Sequence, residues 1–401
     1  MDLSLLQLTA EEQAFADDVR SYLGEHMTDE GREHERRTGD GFWEPVHLAL
    51  GRRGWLFPTS PVVEGGAGLD PVRARILELE LVRHEVPGIT RGTTGLVWPS
   101  VKKFGQPALL AELGSGVTEG RIRFALGYTE PDGGSDIAAA KTRAVRDGDS
   151  WMINGAKMFT TGAHNCQYTF LLTRTDPSLP KHAGLTMFLV PLDAPGVEIH
   201  AIRTYGGERT NIVYFGDVLI DDRYRLGGVN AGWSVLHEPL DAEHALGTSD
   251  VVSDISGGIT FSRLLEHGVD AVARWAKTAN PSAAEDSAFL EALGRAAMEA
   301  EVARVTPGPM GRIKGSDVLV QQAPLLLDLV GPQALLPRGA DGALDDGLLE
   351  FNHRFAQGTA TYGGTVEVFR GIVAQHVLGL PRPTYPGSKA LVAPRSTADP
   401  R

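Results

Sequence analysis

Residues 124–136 read FALGYTEPDGGSD, a short apolar run that ends in a turn of glycine, proline and small polar residues. This run opens a region, from about 123 to 228, in which apolar residues recur in short stretches separated by Gly and Asp turns. The further stretches lie at 168–173, 185–190, 197–202 and 212–220. Short apolar runs between turn residues are typical of strands. The sequence therefore predicts a central β domain, a sandwich or a barrel.

Two segments of this domain carry residues suited to ligand binding. In residues 128–136, hydroxyls, backbone donors and glycines share one turn, which can approach a flat heteroaromatic ring or a phosphate closely. In residues 154–162, NGAKMFTTG, the pair Asn154-Gly155 predicts a hairpin turn, as does the Asp-Gly pair within 146–149. Phe159 then stands two residues before Thr161 on a predicted strand, so that both side chains face one side. Such a face can hold a flavin or a nucleotide; an ordinary hairpin with a buried phenylalanine is the alternative.

Helical patterns flank the β domain. Thr9 and Glu12 form a capping-box signature, and Asp70-Pro71 places proline at the first position of another helix. Beyond Asn230 the helical pattern returns in three long stretches, at 251–277, 285–304 and 316–330. We therefore predict a multidomain α+β protein with an N-terminal helical domain (1–122), a central β domain (123–229), a C-terminal four-helix-bundle domain (230–383) and a tail (384–401).

The composition narrows the class of protein. Among 401 residues, 38 basic against 51 acidic side chains give a net charge of −13, which disfavours a nucleic-acid partner. The single cysteine, Cys166, excludes an intramolecular disulfide framework and favours a reducing cytosol. The start at Met1-Asp2-Leu3-Ser4 lacks a basic and apolar leader, and no stretch has the roughly 18 apolar residues of a spanning helix. A cytoplasmic protein without a membrane segment is expected.

Other common functional motifs are not found in the sequence. The run Gly65-Gly66-Ala67-Gly68 lacks the spacing and the strand–helix frame of a dinucleotide turn. The 12 histidines show no metal-ligand spacing, so no metal is predicted. No Gly-x-Ser-x-Gly elbow indicates a serine hydrolase.

Four motifs, in order, resemble those of the acyl-CoA dehydrogenase family. The family pattern of Thr-Glu-Pro, Gly-Ser-Asp and then Gly-x-Lys-x-(aromatic)-x-Thr is matched in residues 128–136 and 154–162. The C-terminal motifs are matched by YGGTVEVFR at 362–370 and by LGLPR at 378–382. The resemblance extends from about residue 5 to about residue 383 and agrees with the helical, β, helical order.

The resemblance implies an FAD enzyme that desaturates an acyl-CoA between its α and β carbons, in fatty acid or sterol side-chain catabolism. By carry-over, Tyr128 and Thr129 meet the flavin pyrimidine, and Thr161 hydrogen-bonds near flavin N5. Phe159, where the family usually has Trp, packs against the isoalloxazine ring. The full set of implied FAD contacts is Tyr128, Thr129, Gly134, Ser135, Phe159, Thr160, Thr161, Tyr362, Thr365 and Glu367.

The reaction also needs a base for the α proton, and a Glu in a dry pocket has a raised pKa that suits this task. Many family members carry that Glu directly after the tyrosine, where this chain has Gly363. A second family position, in the pattern Leu-x-x-Glu-Arg, corresponds to LDAEH at 240–244, where Glu243 matches the Glu and His244 replaces the Arg. The resemblance thus implies Glu243 as the base, and a solvated helix carboxylate is the alternative. The implied substrate contacts are Ser135, Asp241, His244 and Gly363.

Two further departures from the family concern assembly. Members with complete sites carry Arg-x-x-Phe-Gly near the start of the second C-terminal helix and a later Gln-x-x-Gly-Gly turn, which reach the FAD of a neighbouring subunit. The corresponding stretches, RVTPGP at 304–309 and DLVGP at 328–332, lack these residues. The resemblance then implies a tetramer, of the α2β2 type that acts in bacterial sterol side-chain degradation, with an electron-transfer flavoprotein as acceptor.

Two other functions remain open on the sequence. One is a non-catalytic subunit that completes a partner's site, and the other is a flavin oxidase or monooxygenase of secondary metabolism. The acyl group is not determined by the sequence. Gly127 and a loop at 88–100 are expected to line the acyl cavity.

Overall fold

The computed structural model describes residues 8–243 and 258–381 of the chain. Its elements fall into three successive blocks of helices, strands and helices. The first block holds helices α1 to α6, with the bounds Ala10–His26, Asp29–Thr38, Glu44–Arg52, Pro71–Arg83, Ile89–Phe104 and Pro107–Leu113. The predicted helix starts are confirmed, since Thr9 and Glu12 form a reciprocal capping box and Asp70 accepts two backbone N–H groups of α4. The predicted loop at 88–100 is wrong, because it forms most of α5.

An eight-stranded sheet forms the second block. Its strands, β1 to β8, are Phe124–Gly127, Arg143–Asp147, Ser150–Met158, Tyr168–Arg174, Leu185–Pro191, Val197–Arg203, Arg209–Asp221 and Arg225–Leu226. The order is β6-β7-β3-β2-β4-β5-β8, and β1 pairs in parallel with β4. Strands β4 and β5 are buried almost throughout, because the sheet carries an apolar core on each face.

One of the two predicted hairpin turns is wrong. Strand β3 runs without a break through Asn154 and Gly155, and its register against β7 shifts there by a bulge. Gly155 has a φ of 149°, and a Cβ at this position would lie 2.7 Å from the Cα of Thr142. Only glycine fits both requirements. The other turn is as predicted, since Gly148, with a φ of 59°, joins β2 to β3.

Helices α7 to α12 form the third block, with the bounds Gly232–Glu243, Gly258–Thr278, Ser287–Val305, Gly308–Val330, Leu348–Thr359 and Val366–Ile372. Four of them, α8 to α11, share one apolar core. Helix α7 belongs instead to the core between α5 and the sheet, through Val235 and Leu236. The predicted fold class, helical then β then helical, is confirmed.

Two regions bear on the predicted assembly. Residues 304–309 span the end of α9 at Val305 and the start of α10 at Gly308. His244 and the tail at 384–401 lie outside the described residues. Within the parts of the chain that are described, no helix combines the length and apolarity that crossing a bilayer requires.

The hairpin of β6 and β7 contacts all three blocks. The backbone N–H of Arg209 donates to the carbonyl of Gly39, at the end of α2, over 2.8 Å. Gly39 has a φ of 60°, and a Cβ there would lie 2.3 Å from the carbonyl oxygen of Gly207. On the other side, Arg354 of α11 donates to the carbonyl of Tyr205 over 2.8 Å. The hairpin therefore links α2 to the C-terminal helices.

Candidate active site

The turn after β1 is open beside its glycines. It starts at the buried Tyr128 and closes through two reciprocal backbone hydrogen bonds, each 3.1 Å, between Glu130 and Gly133. A Cβ at Gly133 would meet no atom within 4 Å, and one at Gly134 would meet only a methyl of Thr129 at 3.7 Å. These glycines thus leave free space along the backbone. Ser135 follows them on the surface.

A buried ion pair fixes this turn from within. The Lys157 ammonium, which is fully buried, lies 2.8 Å from a carboxylate oxygen of Glu130. The same carboxylate accepts the backbone N–H groups of Lys141 and Thr142 at 2.7 and 2.8 Å. Burial opposes ionisation of Glu130, but the Lys157 charge and these donors outweigh it and lower the pKa of the carboxyl. Glu130 is therefore held as a buried carboxylate.

The two predicted motif segments form one structural unit. Lys157 also donates to the carbonyl of Tyr128, at 3.2 Å. The backbone N–H of Met158 donates to the carbonyl of Thr129, at 2.9 Å. The lysine of the second motif and the glutamate of the first are thus the parts that dock one segment on the other.

Phe159 lies just beyond the end of β3 in a strained conformation. Its φ is 59°, in the left-handed region where a bulky residue is an outlier. The prediction that Phe159 and Thr161 share a strand is therefore wrong, because the chain turns at Phe159. The ring is nevertheless 56% exposed. Strain of this kind persists only where the surroundings enforce it, often at functional sites.

The two threonines after Phe159 are held by β7. The N–H of Thr160 donates to the carbonyl of Asn211 at 2.9 Å, and the Asn211 side-chain amide donates back to the carbonyl of Thr160 at 3.0 Å. The hydroxyl of Thr161 lies 2.9 Å from that of Thr210. Hydrogen bonds from β7 thus hold Thr160 and Thr161 in place, while the Phe159 ring remains exposed.

Unpaired polar atoms lie beside this turn. Among the described residues, the buried hydroxyl oxygens of Thr160 and Thr90 have no hydrogen-bond partner. Thr90, on α5, lies against the turn, since a Cβ at Gly162 would stand 3.1 Å from its hydroxyl. An exposed aromatic ring, open glycines and unpaired hydroxyls together fit a planar heteroaromatic group such as a flavin.

The C-terminal motif forms a tight loop that leads into α12. Gly363 and Gly364 have φ values of 63° and 89°, so both need a conformation that glycine adopts without strain. The Thr365 hydroxyl accepts the N–H of Val368 at 3.2 Å and caps the helix. Glu367 is exposed in its first turn. The backbone conformation therefore favours glycine at position 363, where many family members carry the catalytic Glu.

A fully buried arginine supports this loop. The Arg312 guanidinium, 1% exposed, donates to the carbonyls of Thr359 at 2.5 Å, Tyr362 at 2.8 Å and, more weakly, Gly364 at 3.4 Å. It lies over two aromatic rings, those of Phe261 and Phe369. Arg312 escaped the sequence analysis because nothing in the pattern of α10 distinguishes it from a surface arginine.

The Arg312→Met variant is expected to lose about 3 kcal/mol of unfolding free energy, because several buried carbonyls lose their donor. Arg312→Lys keeps the charge but not the planar fork, so it should lose less. Urea unfolding of both variants measures the effect. Values within about 0.5 kcal/mol of the parent for Arg312→Met would contradict the supporting role.

Two carboxyl groups meet beside the same loop. Burial, followed by the charge of Glu35, raises the pKa of Glu208 to about 7. Burial also raises the pKa of Glu35, although the N–H of Gly41 donates to its carboxylate at 2.9 Å. After burial, the charge of Glu208 contributes to the raised pKa of Tyr362. This electrostatic interaction among α2, the β6–β7 hairpin and the C-terminal loop involves residues too distant in sequence for a pattern to reveal.

The Glu208→Gln variant is expected to be more stable than the parent by about 2 kcal/mol at pH 8 and about equal at pH 5. Folded Glu208 keeps its proton up to about pH 7, whereas an unfolded Glu releases it near pH 4.3. The folded state thus binds the extra proton in this window, and its stability falls as pH rises through it. Thermal unfolding from pH 5 to 8.5 measures the effect, with the exposed Glu198→Gln as control. Parallel pH curves for all three proteins would contradict it.

Glu243, the expected base, is the last residue of α7. The structure describes the backbone of Asp241 and Glu243 in the last turn of that helix. Leu240 packs against the core that contains Tyr128 and Trp98. The end of α7 therefore lies on the same core as the first motif.

A basic cavity of about 430 Å³ adjoins the open turn. Its cations are Lys141, Arg143, Arg174 and Lys181. Lys141 lies 2.8 Å from Asp132 and Lys181 lies 2.7 Å from Asp136, so both border the 128–136 turn. Sequence analysis missed this cluster because the cations come from separate segments of a chain that is acidic as a whole.

Most of the expected site residues fall into two groups. One group lies on the two docked β motifs: Tyr128, Thr129, Gly134, Ser135, Phe159, Thr160 and Thr161. The other lies on the C-terminal loop that Arg312 of α10 supports: Tyr362, Gly363, Thr365 and Glu367. Asp241 and Glu243, at the end of α7, belong to neither group.

Comparison with known proteins gives matches over most of the chain. Residues 9–121 match the family model of the acyl-CoA dehydrogenase N-terminal domain, and residues 125–222 match that of the acyl-CoA dehydrogenase middle domain. The acyl-CoA dehydrogenase FadE26 of Mycobacterium tuberculosis is 29% identical, with 94% of this chain and 99% of the relative covered. The acyl-CoA dehydrogenase IpdE1 of the same organism is 31% identical, with 92% and 98% covered.

Solved structures give the same result. The "Tcur3481-Tcur3483 steroid ACAD" superposes with a TM-score of 0.80 at 29% identity, over 96% of this chain and 100% of the other. The ChsE4-ChsE5 complex from Mycobacterium tuberculosis gives a TM-score of 0.79 at 27% identity, over 94% and 100%. Both titles name two components.

Proposed function

The chain belongs to the acyl-CoA dehydrogenase family and is an enzyme of that class, and on this premise we propose that it performs FAD-dependent α,β-dehydrogenation of an acyl-CoA. The observation that carries the proposal is the docking of the two β motifs beside a basic cavity. The cavity borders the 128–136 turn through Lys181, and the N–H of Met158, next to the exposed Phe159, donates to the carbonyl of Thr129 in the same turn. A substrate with phosphates at one end and a reacting carbon at the other suits this arrangement.

The flavin contacts follow from the first group of residues. The Phe159 ring offers a flat apolar face, and the hydroxyls of Thr160 and Thr161 and the backbone near Tyr128 and Thr129 offer polar partners. Gly134, Ser135, Tyr362, Thr365 and Glu367 complete the proposed set. When bound, FAD supplies the acceptor for the hydride that leaves the β carbon.

Glu243 is proposed to remove the α proton of the thioester. A carboxylate is required, because the α C–H beside a thioester is a weak acid and its removal must accompany hydride loss. Gly363 has no side chain for this task, whereas Glu243 ends a helix that packs on the core beneath Tyr128. Asp241 and His244, beside it in sequence, are proposed substrate contacts.

The basic cavity is proposed to bind the phosphate groups of the CoA moiety. Lys141, Arg143 and Lys181 supply charge without deep burial, and Ser135 lies on the turn between the cavity and the flavin face. Guanidinium and ammonium groups are the usual partners of phosphate in proteins.

A ring-bearing, steroid-type acyl group is the proposed substrate class. One structural relative is named a steroid ACAD, and Gly363 places no side chain next to Tyr362. Because the two titles name pairs of components, we also propose that a related second subunit joins this chain in a tetramer. An electron-transfer flavoprotein is the proposed acceptor.

The test is anaerobic reduction of the flavin by a panel of acyl-CoAs. The full chain, purified with any subunit that accompanies it, is mixed with a steroid side-chain acyl-CoA or with a straight-chain acyl-CoA, and absorbance near the flavin band is followed. We expect bleaching by the first and slower bleaching by the second. Flavin that stays oxidised with every acyl-CoA would favour the non-catalytic subunit, and rapid reoxidation by oxygen with peroxide release would favour an oxidase.

A further inference from the structure

A chain of buried polar groups connects the N-terminal block to the Phe159 turn. His164 Nε2 lies 3.2 Å from a carboxylate oxygen of Asp40, in the segment after α2. His164 Nδ1 lies 3.1 Å from the side-chain nitrogen of Asn211. That same nitrogen donates to the carbonyl of Thr160 at 3.0 Å. Asn211 is fully buried and Asp40 is 7% exposed.

The hydrogen bonds assign the proton positions along this chain. The carbonyl of Thr160 can only accept, so the Asn211 atom that faces it must be the amide nitrogen. That nitrogen can only donate, so Nδ1 of His164 must accept. The His164 proton then lies on Nε2, which faces the Asp40 carboxylate at 3.2 Å and the side-chain amide of Asn165 at 3.0 Å. A neutral imidazole thus joins Asp40 and Asn165 on one side to the Asn211 amide on the other.

The end of this chain is the strained turn. Asn211 makes two hydrogen bonds to the backbone of Thr160. Its own carbonyl accepts the Thr160 N–H, and its side-chain amide donates to the Thr160 carbonyl. Phe159, the preceding residue, has the left-handed φ of 59°. A conformation that costs on the order of 1–3 kcal/mol needs such fixation from its surroundings.

We propose that His164 and Asn211, anchored by Asp40, are positioning residues that hold the Phe159 turn in its left-handed conformation and so present the ring to the flavin. This inference rests on the proposed function for the role of the ring. Neither residue belongs to the proposed flavin contacts, and both act through the backbone of Thr160.

The charges around His164 favour its neutral form. Burial comes first, and the Arg209 guanidinium adds to it, so that the pKa of His164 is lowered despite the opposing charge of Asp40. Asp40 is also approached by His34 at 3.4 Å and by Arg209 at 3.6 Å. Arg203 is a weaker positive contribution from β6. The positive charges near Asp40 therefore offset its negative charge without a second proton on Nδ1 of His164.

Two conservative variants separate the contacts of His164. In His164→Asn the amide oxygen takes the place of Nδ1, so the acceptor for Asn211 is kept and the contact to Asp40 is lost. In His164→Gln the longer amide takes the place of Nε2, so the contact to Asp40 is kept and the acceptor is lost. The exposed His200→Gln, on β6, is the matched control.

Two readouts apply to the full-length chain stripped of flavin. Titration with FAD should show binding about tenfold weaker for His164→Gln, because a buried amide donor is left unpaired, and close to the parent for His164→Asn. Hydrogen exchange over residues 158–162, without FAD, should be faster for His164→Gln only. Melting temperatures verify that both variants are folded.

The outcomes are distinguishable. Equal losses in the two variants, or a larger loss in His164→Asn, would overturn the positioning role. If the parent does not bind FAD even together with any subunit that purifies with it, the proposed function fails, and the exchange rates alone then decide whether His164 holds the turn. Unchanged exchange in His164→Gln would overturn the inference even where FAD binds normally.

Discussion

Replacement of Glu243 by glutamine is expected to slow flavin reduction by acyl-CoA about a thousandfold, because an amide cannot accept the α proton. Glutamine keeps the length of the side chain, so the affinity for the acyl-CoA should change little. Stopped-flow absorbance under anaerobic conditions measures the rate, and its dependence on substrate concentration separates binding from chemistry. A fall in the limiting rate without a change in the half-saturating concentration is the expected result.

Carboxylates on the same helix provide the controls for this experiment. Glu238 lies 3.3 Å from Lys103 near the surface, so Glu238→Gln should retain the parent rate within about twofold. Asp241→Asn tests whether the neighbouring carboxylate serves instead. A Glu243→Gln rate within about tenfold of the parent, or a far larger loss in Asp241→Asn, would exclude Glu243 as the base.

The layout of the fold followed from sequence periodicity and turn chemistry. Thr9, Asp70 and the Asp-Gly pair at Gly148 act within a few residues of themselves, so their roles could be read directly. The hairpin turn predicted at Asn154-Gly155 was wrong for a physical reason. The pair that suits a hairpin also suits a bulge, and the partner strand β7, some sixty residues away in sequence, decides between the two.

The sequence likewise predicted the members of the two β motifs but not how they are arranged in space. The motif residues from Tyr128 to Ser135 and from Phe159 to Thr161 could be named by resemblance, because the family pattern fixes their order. Their arrangement could not be predicted, since the contact of Asn211 with Thr160, beside the left-handed Phe159, joins residues 51 positions apart in sequence. Arg312 and Glu208 were missed because each acts on a loop that is remote in sequence.

The docking of the two motifs depends on the buried pair of Lys157 and Glu130, and Lys157→Met is expected to destabilise the protein by about 3–5 kcal/mol. Methionine fills the space, but the Glu130 carboxylate, 9% exposed, loses its cation and keeps only backbone donors. Urea unfolding measures the loss. The control is Lys141→Met, which breaks an exposed pair with Asp132 and should cost less than about 1 kcal/mol.

A second substitution tests whether the penalty arises from the charge that is left behind. Glu130→Gln removes the charge but keeps only one of the two oxygens that separately accept the N–H groups of Lys141 and Thr142, so combining it with Lys157→Met should recover about 1 kcal/mol, less than the full loss. Additive losses would instead show that packing around Lys157, not its charge, supports the turn. If the charge is decisive, Lys157→Met should also weaken FAD binding, and the double variant should regain part of that affinity. The N–H of Met158, next to Phe159, donates to the carbonyl of Thr129. The Lys157–Glu130 ion pair, formed by the next residue on each side, supports this connection between the two motifs.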